Sequence, residues 1–161
     1  KNRFGSQRGF AIIELLVVLV ILGIVANIAI PVYMHAQLKA KATKIVTDFK
    51  YFETAVTNYY SQNGVWPRDR GPGRVPPELA TVLADRVDFG KRGRRTMAIQ
   101  YDWDHWLNRK GKARKPRTGV AVGFSVRTRD REMLAMIKEV WDRETYSTRD
   151  RVTFIIEPVV R

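Results

Sequence analysis

Apolar residues along this chain form one dense block followed by separated, periodic groups. Residues 10–30 read FAIIELLVVLVILGIVANIAI, with Glu14 as the only charge. At the rise of an α-helix these residues span about 30 Å, the thickness of a bilayer's hydrocarbon core, so the block predicts a membrane-length helix. Beyond Pro31 the pattern becomes a one-sided stripe. Leu38, Ala42, Ile45, Phe49, Phe52, Val56 and Tyr59 recur at alternating spacings of four and three, while Lys39, Lys41, Lys44, Asp48 and Lys50 take other positions. The bulk of Phe49 and Phe52 suits packing on a sheet better than a two-helix seam. Asn63-Gly64, followed by Pro67, predicts the end of this helix.

The remainder reads as a small mixed domain. A Pro/Gly-rich linker (67–77) leads to a short helix expected over Glu78–Arg86, with Leu79, Val82 and Leu83 on one side. Strands are predicted at Thr96–Trp103, Val120–Arg127 and Val152–Val159, and an amphipathic helix at Arg131–Arg143 carrying Met133, Leu134, Ile137 and Trp141. The expected architecture is α+β, with a small antiparallel sheet laid on the long helix. No internal repeat is evident.

The charges before the apolar block (Lys1, Arg3, Arg8) are all positive, which predicts an N-terminus held in the cytoplasm and a remainder outside it. An ordinary secretory signal has an apolar region of about 7–15 residues and a small-x-small cleavage site. Here the run is longer, and Ile28-Ala29-Ile30-Pro31-Val32-Tyr33 offers no such site. A plain anchor explains length and orientation but leaves Glu14 unexplained, because a carboxylate within a membrane span costs on the order of 3 kcal/mol. The sequence starts at Lys1 and not at Met, so further residues are expected before it.

Arg8-Gly9-Phe10-Ala11-Ile12-Ile13-Glu14-Leu15-Leu16, continuing to LGIVANIAIPVY, resembles the start of type IV prepilins and type II secretion pseudopilins. The phrase Tyr59-Tyr60-Ser61-Gln62-Asn63-Gly64-Val65-Trp66-Pro67 is similar to the end of their long helix, and the likeness covers about the first 67 residues. It departs at Ala11, where many members have Thr, and at the polar Asn27.

The resemblance implies a leader (1–9), a transmembrane and filament-core helix (10–32), its amphipathic continuation (33–66) and a pilin-like α+β head (67–161). It further implies that prepilin peptidase cuts between Gly9 and Phe10 and methylates the new Phe10 amine. A neighbouring subunit's Phe10 amine would then pair with Glu14 during assembly, and Pro31 would break or loosen the helix. The implied partners are that peptidase, copies of the chain, other pilin-like subunits and inner-membrane assembly machinery. The implied location is a single-pass inner membrane, then a periplasmic or cell-surface filament. Within the family the runner-up is a minor pilin with a basic head binding DNA or another polyanion, and a non-polymerising single-pass anchored binding domain is the alternative from another class.

Composition adds a charge question. The chain has 29 Lys and Arg against 16 Asp and Glu, a net charge of +13. Loss of Lys1, Arg3 and Arg8 with the leader leaves 26 against 16, or +10. Two clusters concentrate this excess: Lys91, Arg92, Arg94 and Arg95, then Arg109, Lys110, Lys112, Arg114, Lys115 and Arg117. If the first two strands pair, both clusters could meet on one hairpin and contact DNA or another polyanion, with Trp103 and Trp106 stacking on bases. A solvated loop meeting acidic neighbours is the plainer account.

Enzymatic readings are weak, and no catalytic residue is assigned. The absence of cysteine removes disulfides, thiolate metal sites and a cysteine nucleophile. Tyr101-Asp102-Trp103-Asp104-His105-Trp106 could offer two carboxylates and an imidazole to a metal, but a strand end with aromatic packing is preferred. No cofactor is assigned. Calcium is left open, because some major pseudopilins hold it in a C-terminal loop; Asp142, Glu144 and Asp150 lie in a comparable region without a recognisable ligand pattern.

Overall fold

The computed structural model describes residues 7–84, 86–90, 99–106 and 120–158. Helix α1 spans Gln7–Asn63, and the chain divides into two compact units, Lys1–Leu38 and Lys39–Arg161. In the first unit the backbone is helical from Gln7, and every described side chain from Ile12 to Gln37 is exposed. Pro31 lies inside α1 and is helical on both sides, so the expected break is not a feature of the free chain. Pro31 still has no N–H to give to the Asn27 carbonyl, which makes this turn the weakest of the segment.

The second unit contains the core. The stripe on α1 faces inward as expected, with Ala42, Ile45, Phe49, Phe52 and Val56 all buried. The helix stops after Asn63 because Gly64 takes a left-handed φ of 67° and returns its N–H to the Tyr60 carbonyl at 2.8 Å. The short helical segment is a 3-10 turn at Pro77–Leu79 followed by α2, Ala80–Leu83. It is shorter than expected, and Val82 faces solvent while Leu79 and Leu83 are buried.

Four antiparallel strands follow, β1 (Gln100–His105), β2 (Val120–Arg127), β3 (Thr145–Thr148) and β4 (Arg151–Pro158), in the spatial order β1-β2-β4-β3. The described part of the first strand begins at Gln100, with Ile99 outside it, and runs past the expected Trp103 to His105; Thr96–Ala98 lie outside the described residues. Strand β3 was not expected, because its three half-exposed residues and exposed Thr148 show no apolar alternation; its pairing with β4 creates it.

Register aligns Trp103 with Phe124 and Phe124 with Phe154, so one aromatic row crosses the sheet. Phe49 meets Phe154 at 4.6 Å in a stacked arrangement, and Phe52 meets Phe124 at 4.6 Å and Trp103 at 5.3 Å. Helix α3 (Arg131–Val140) is capped by Asp130, which accepts from the Met133 N–H at 3.0 Å. It ends three residues before the expected Arg143, since Trp141 is already extended. Trp141 then meets Phe49 edge-on at 5.1 Å and closes the core.

Candidate functional site

Two arrangements concentrate chemistry. The first is the N-terminal segment. Gly9 and Phe10 lie in helical backbone, and the Phe10 side chain is outside what the structure describes. Glu14 is exposed, as are Ile12, Ile13, Leu15, Leu16 and the large apolar residues onward to Met34. No described side chain from Ile12 to Gln37 is buried. An apolar surface of this extent in water is unstable and calls for lipid or neighbouring helices. Glu14 is the single charge between Ile12 and Met34, so whatever covers this surface must also receive a carboxylate.

The second arrangement lies on the face of the sheet turned away from α1. Residues two apart on a strand share a face, which places Asp102 and Asp104 of β1 together, opposite Tyr101 and Trp103. Register brings Ser125 of β2 and Thr153 of β4 alongside Asp102. Ser125 Oγ donates to Asp104 Oδ2 at 2.8 Å and lies 2.9 Å from Thr153 Oγ1. Arg151 Nη1 approaches the same Asp104 oxygen at 3.4 Å, and Arg127 Nε faces Asp102 Oδ2 at 3.7 Å.

The loop after α1 supplies Asp69. Trp103 Nε1 donates to the Pro67 carbonyl at 2.9 Å, and the Gly73 N–H donates to the Tyr101 carbonyl at 2.8 Å, which hold this loop along β1. One carboxylate oxygen each from Asp69, Asp102 and Asp104 then lie within 4.8 Å of one another. Burial pushes the Asp102 carboxyl up to about 7, with the Asp104 charge adding to the shift and Arg127 opposing it. Asp104 is also raised by burial, against the hydrogen bond from Ser125.

Sequence reading saw the Asp102/Asp104 pair but joined it to His105. The structure joins it to Asp69 instead, and His105 is not a member of the group. The Asp-x-Asp spacing was the legible signal; nothing local marks Asp69. Asp142, Glu144 and Asp150 are exposed and form no such group among the described residues. Asp150 instead accepts from Thr148 Oγ1 at 3.2 Å in the β3–β4 turn.

Both basic clusters, Lys91, Arg92, Arg94 and Arg95, and Arg109, Lys110, Lys112, Arg114, Lys115 and Arg117, lie outside the described residues. Their points of attachment, Ile99 and Trp106, flank opposite ends of β1.

Residues 5–29 match the family described as the prokaryotic N-terminal methylation motif. The chain is similar to the type IV major pilin protein PilE of Neisseria gonorrhoeae, 38% identical over 39% of this chain and 38% of that protein. It is similar to the fimbrial protein EcpC of Eikenella corrodens, 40% identical over 51% of this chain and 52% of that one. It is also similar to the type II secretion system core protein G of Klebsiella michiganensis, 40% identical over 38% of this chain and 44% of that one. The matched stretch thus spans about half or less of the length of these relatives. No solved structure matches. The resemblance to prepilins and pseudopilins holds, as does the α+β architecture with a long N-terminal helix and a small antiparallel sheet.

Proposed function

We propose that the chain is a non-enzymatic structural subunit of a type IV pilus-like or type II secretion pseudopilus-like filament. Prepilin peptidase cuts it between Gly9 and Phe10 and methylates Phe10. The retained apolar helix first holds it in the inner membrane, with the N-terminus in the cytoplasm, and then packs among copies of itself. The observation that carries this reading is the exposed apolar surface from Ile12 to Met34 with one exposed carboxylate, Glu14, set into it. The methylation motif at residues 5–29 and the pilin and secretion-protein relatives support it.

The chemistry gives Glu14 a purpose. Cleavage after Gly9 creates a positive amine at Phe10, four residues before Glu14. Either charge alone in hydrocarbon is costly, whereas an amine and a carboxylate from neighbouring subunits attract strongly in a low dielectric. The pairing recruits each subunit and sets its axial position.

The test is N-terminal sequencing of membrane-extracted protein, combined with electron microscopy of filaments from the wild type and Glu14→Leu. Wild type is expected to begin at a methylated Phe10. Glu14→Leu is expected to be cleaved normally and to form few filaments. An intact leader in the wild type would overturn the filament reading in favour of a plain anchor. Normal filaments from Glu14→Leu would overturn the role of the carboxylate.

A further inference from the structure

The outer face of the sheet holds an electrostatic imbalance that filament packing of the N-terminal helix does not use. Asp102 is only 2% exposed, and its Oδ1 has no hydrogen-bond partner among the described residues. Its Oδ2 faces Arg127 Nε at 3.7 Å, too far for a hydrogen bond, and that Nε has no hydrogen-bond partner among the described residues. A buried carboxylate oxygen with no donor is costly and is normally matched by a donor or a cation. Here the unmatched oxygen belongs to a residue whose carboxylate converges with those of Asp104 and Asp69.

We propose that Asp69, Asp102 and Asp104 form a binding site for one divalent cation of the hard, oxygen-preferring class, with calcium as the occupant. The three protein ligands are all carboxylate oxygens, which suits calcium, magnesium or manganese and disfavours the softer metals. Magnesium usually keeps several waters and takes one or two carboxylates, whereas calcium accepts a larger and less regular set of oxygens. Three carboxylates, drawn from a strand and a loop, therefore favour calcium. Asp69 is exposed, so this side of the site is open to entering ions and to water ligands. Ser125 orients Asp104 from behind, with Thr153 next in line.

Charge balance is consistent with this assignment. Three carboxylates face Arg127 and Arg151. The Arg127 side chain is 38% exposed and its Nε makes no hydrogen bond among the described residues, while that of Arg151 is 19% exposed and lies against Asp104. Arg127 is thus the counter-charge that an entering cation displaces toward solvent. A divalent ion together with Arg151 then neutralises the three carboxylates. Occupancy would tie the loop leaving α1 to β1, between the two hydrogen bonds already made by Pro67 and Gly73. This position differs from the Asp142–Asp150 region.

The test uses the full chain in detergent, stripped with a chelator and titrated with calcium or magnesium chloride. Thermal unfolding and isothermal titration calorimetry are the readouts. Calcium is expected to raise the unfolding midpoint saturably, at one ion per chain, and more than magnesium does. Asp69→Asn, at an exposed position, should leave the metal-free midpoint near wild type and weaken apparent calcium affinity about tenfold or more. Asp102→Asn should abolish the calcium response and raise the metal-free midpoint, because it removes the unmatched charge. Absence of a saturable response up to about 10 mM calcium would overturn the site, since even weak extracellular sites fill below that. A response kept in both Asp69→Asn and Asp104→Asn, or lost in Asp142→Asn, would place the ion elsewhere and overturn it equally.

Discussion

The Tyr101 hydroxyl donates a 2.7 Å hydrogen bond to Asp48 Oδ2, joining β1 to α1 across 53 residues of chain. Lys44 Nζ reaches the same oxygen at 2.9 Å from one turn earlier on the helix. Asp48 is 4% exposed, although its place among lysines had suggested a solvent-facing position. A buried carboxylate needs donors, and the sheet supplies one of the two.

Removing the phenol tests this link. Tyr101→Phe keeps the ring contact with Phe124 and leaves Asp48 with Lys44 as its remaining side-chain partner among the described residues. The expected loss is about 1.5–3 kcal/mol, as for hydrogen bonds to charged groups. Urea unfolding of the full chain in detergent measures it. A double-mutant cycle with Asp48→Asn should show coupling between the two positions. Additive losses would mean that the bond contributes nothing of its own.

The Asp102 carboxyl predicts a pH dependence of unusual sign. Its ordinary value of 3.8 describes the unfolded chain, and burial raises it to about 7 in the folded one. Between these values the folded state holds the extra proton, so stability falls as pH rises from about 4 to about 7 and levels off above. In chelating buffer the fall attributable to Asp102 is on the order of 2–4 kcal/mol. Asp102→Asn should remove most of that slope, with Asp104 accounting for some of what remains. Thermal midpoints at pH 4.5, 6 and 7.5 give the answer, and parallel profiles for the two proteins would refute it.

Phe49 is the point where α1, the sheet and the end of α3 meet. Its ring lies 4.6 Å from Phe154, 5.1 Å from Trp141 and 5.9 Å from Phe124. Phe49→Ala should cost about 3–5 kcal/mol, as aromatic truncations in cores do. Phe49→Leu should recover more than half of that. Near-UV circular dichroism and thermal unfolding distinguish a loosened core from a chain that no longer folds.

Gly90 cannot be replaced without strain. Its φ is +76°, and a Cβ built there would lie 2.7 Å from the Ile99 carbonyl oxygen. Gly90→Ala is expected to cost about 1–3 kcal/mol, the range for a side chain forced into a left-handed position, with the clash adding to it. Gly64→Ala is also left-handed, at φ +67°, but its Cβ would meet nothing within 4 Å, so it should cost less. Unfolding midpoints that rank the two the other way would show that the close approach to Ile99 is not rigid.

Much of the fold was legible because it is local. The stripe from Ala42 to Val56 repeats with the helix period, and Ala42, Ile45, Phe49, Phe52 and Val56 are all buried. Strand β2 was read to the residue, since Val120–Arg127 alternates more cleanly than the first strand candidate. The membrane-length block and its single carboxylate, Glu14, stand out from composition and spacing alone, and the N-terminal motif follows from adjacent residues.

Tertiary structure decided what depends on partners distant in sequence. Strand β3 has no pattern of its own and exists through its ladder with β4. Asp48 is buried where Tyr101 comes from the sheet to meet it, whereas its charge alone grouped it with the lysines. The spacing of Asp102 and Asp104 announced a pair of carboxylates on one strand face, but not the third. Asp69 joins them because the loop leaving α1 is bonded back along β1 through Pro67 and Gly73. Periodicity reports which way a side chain faces; only the folded chain determines what it meets there.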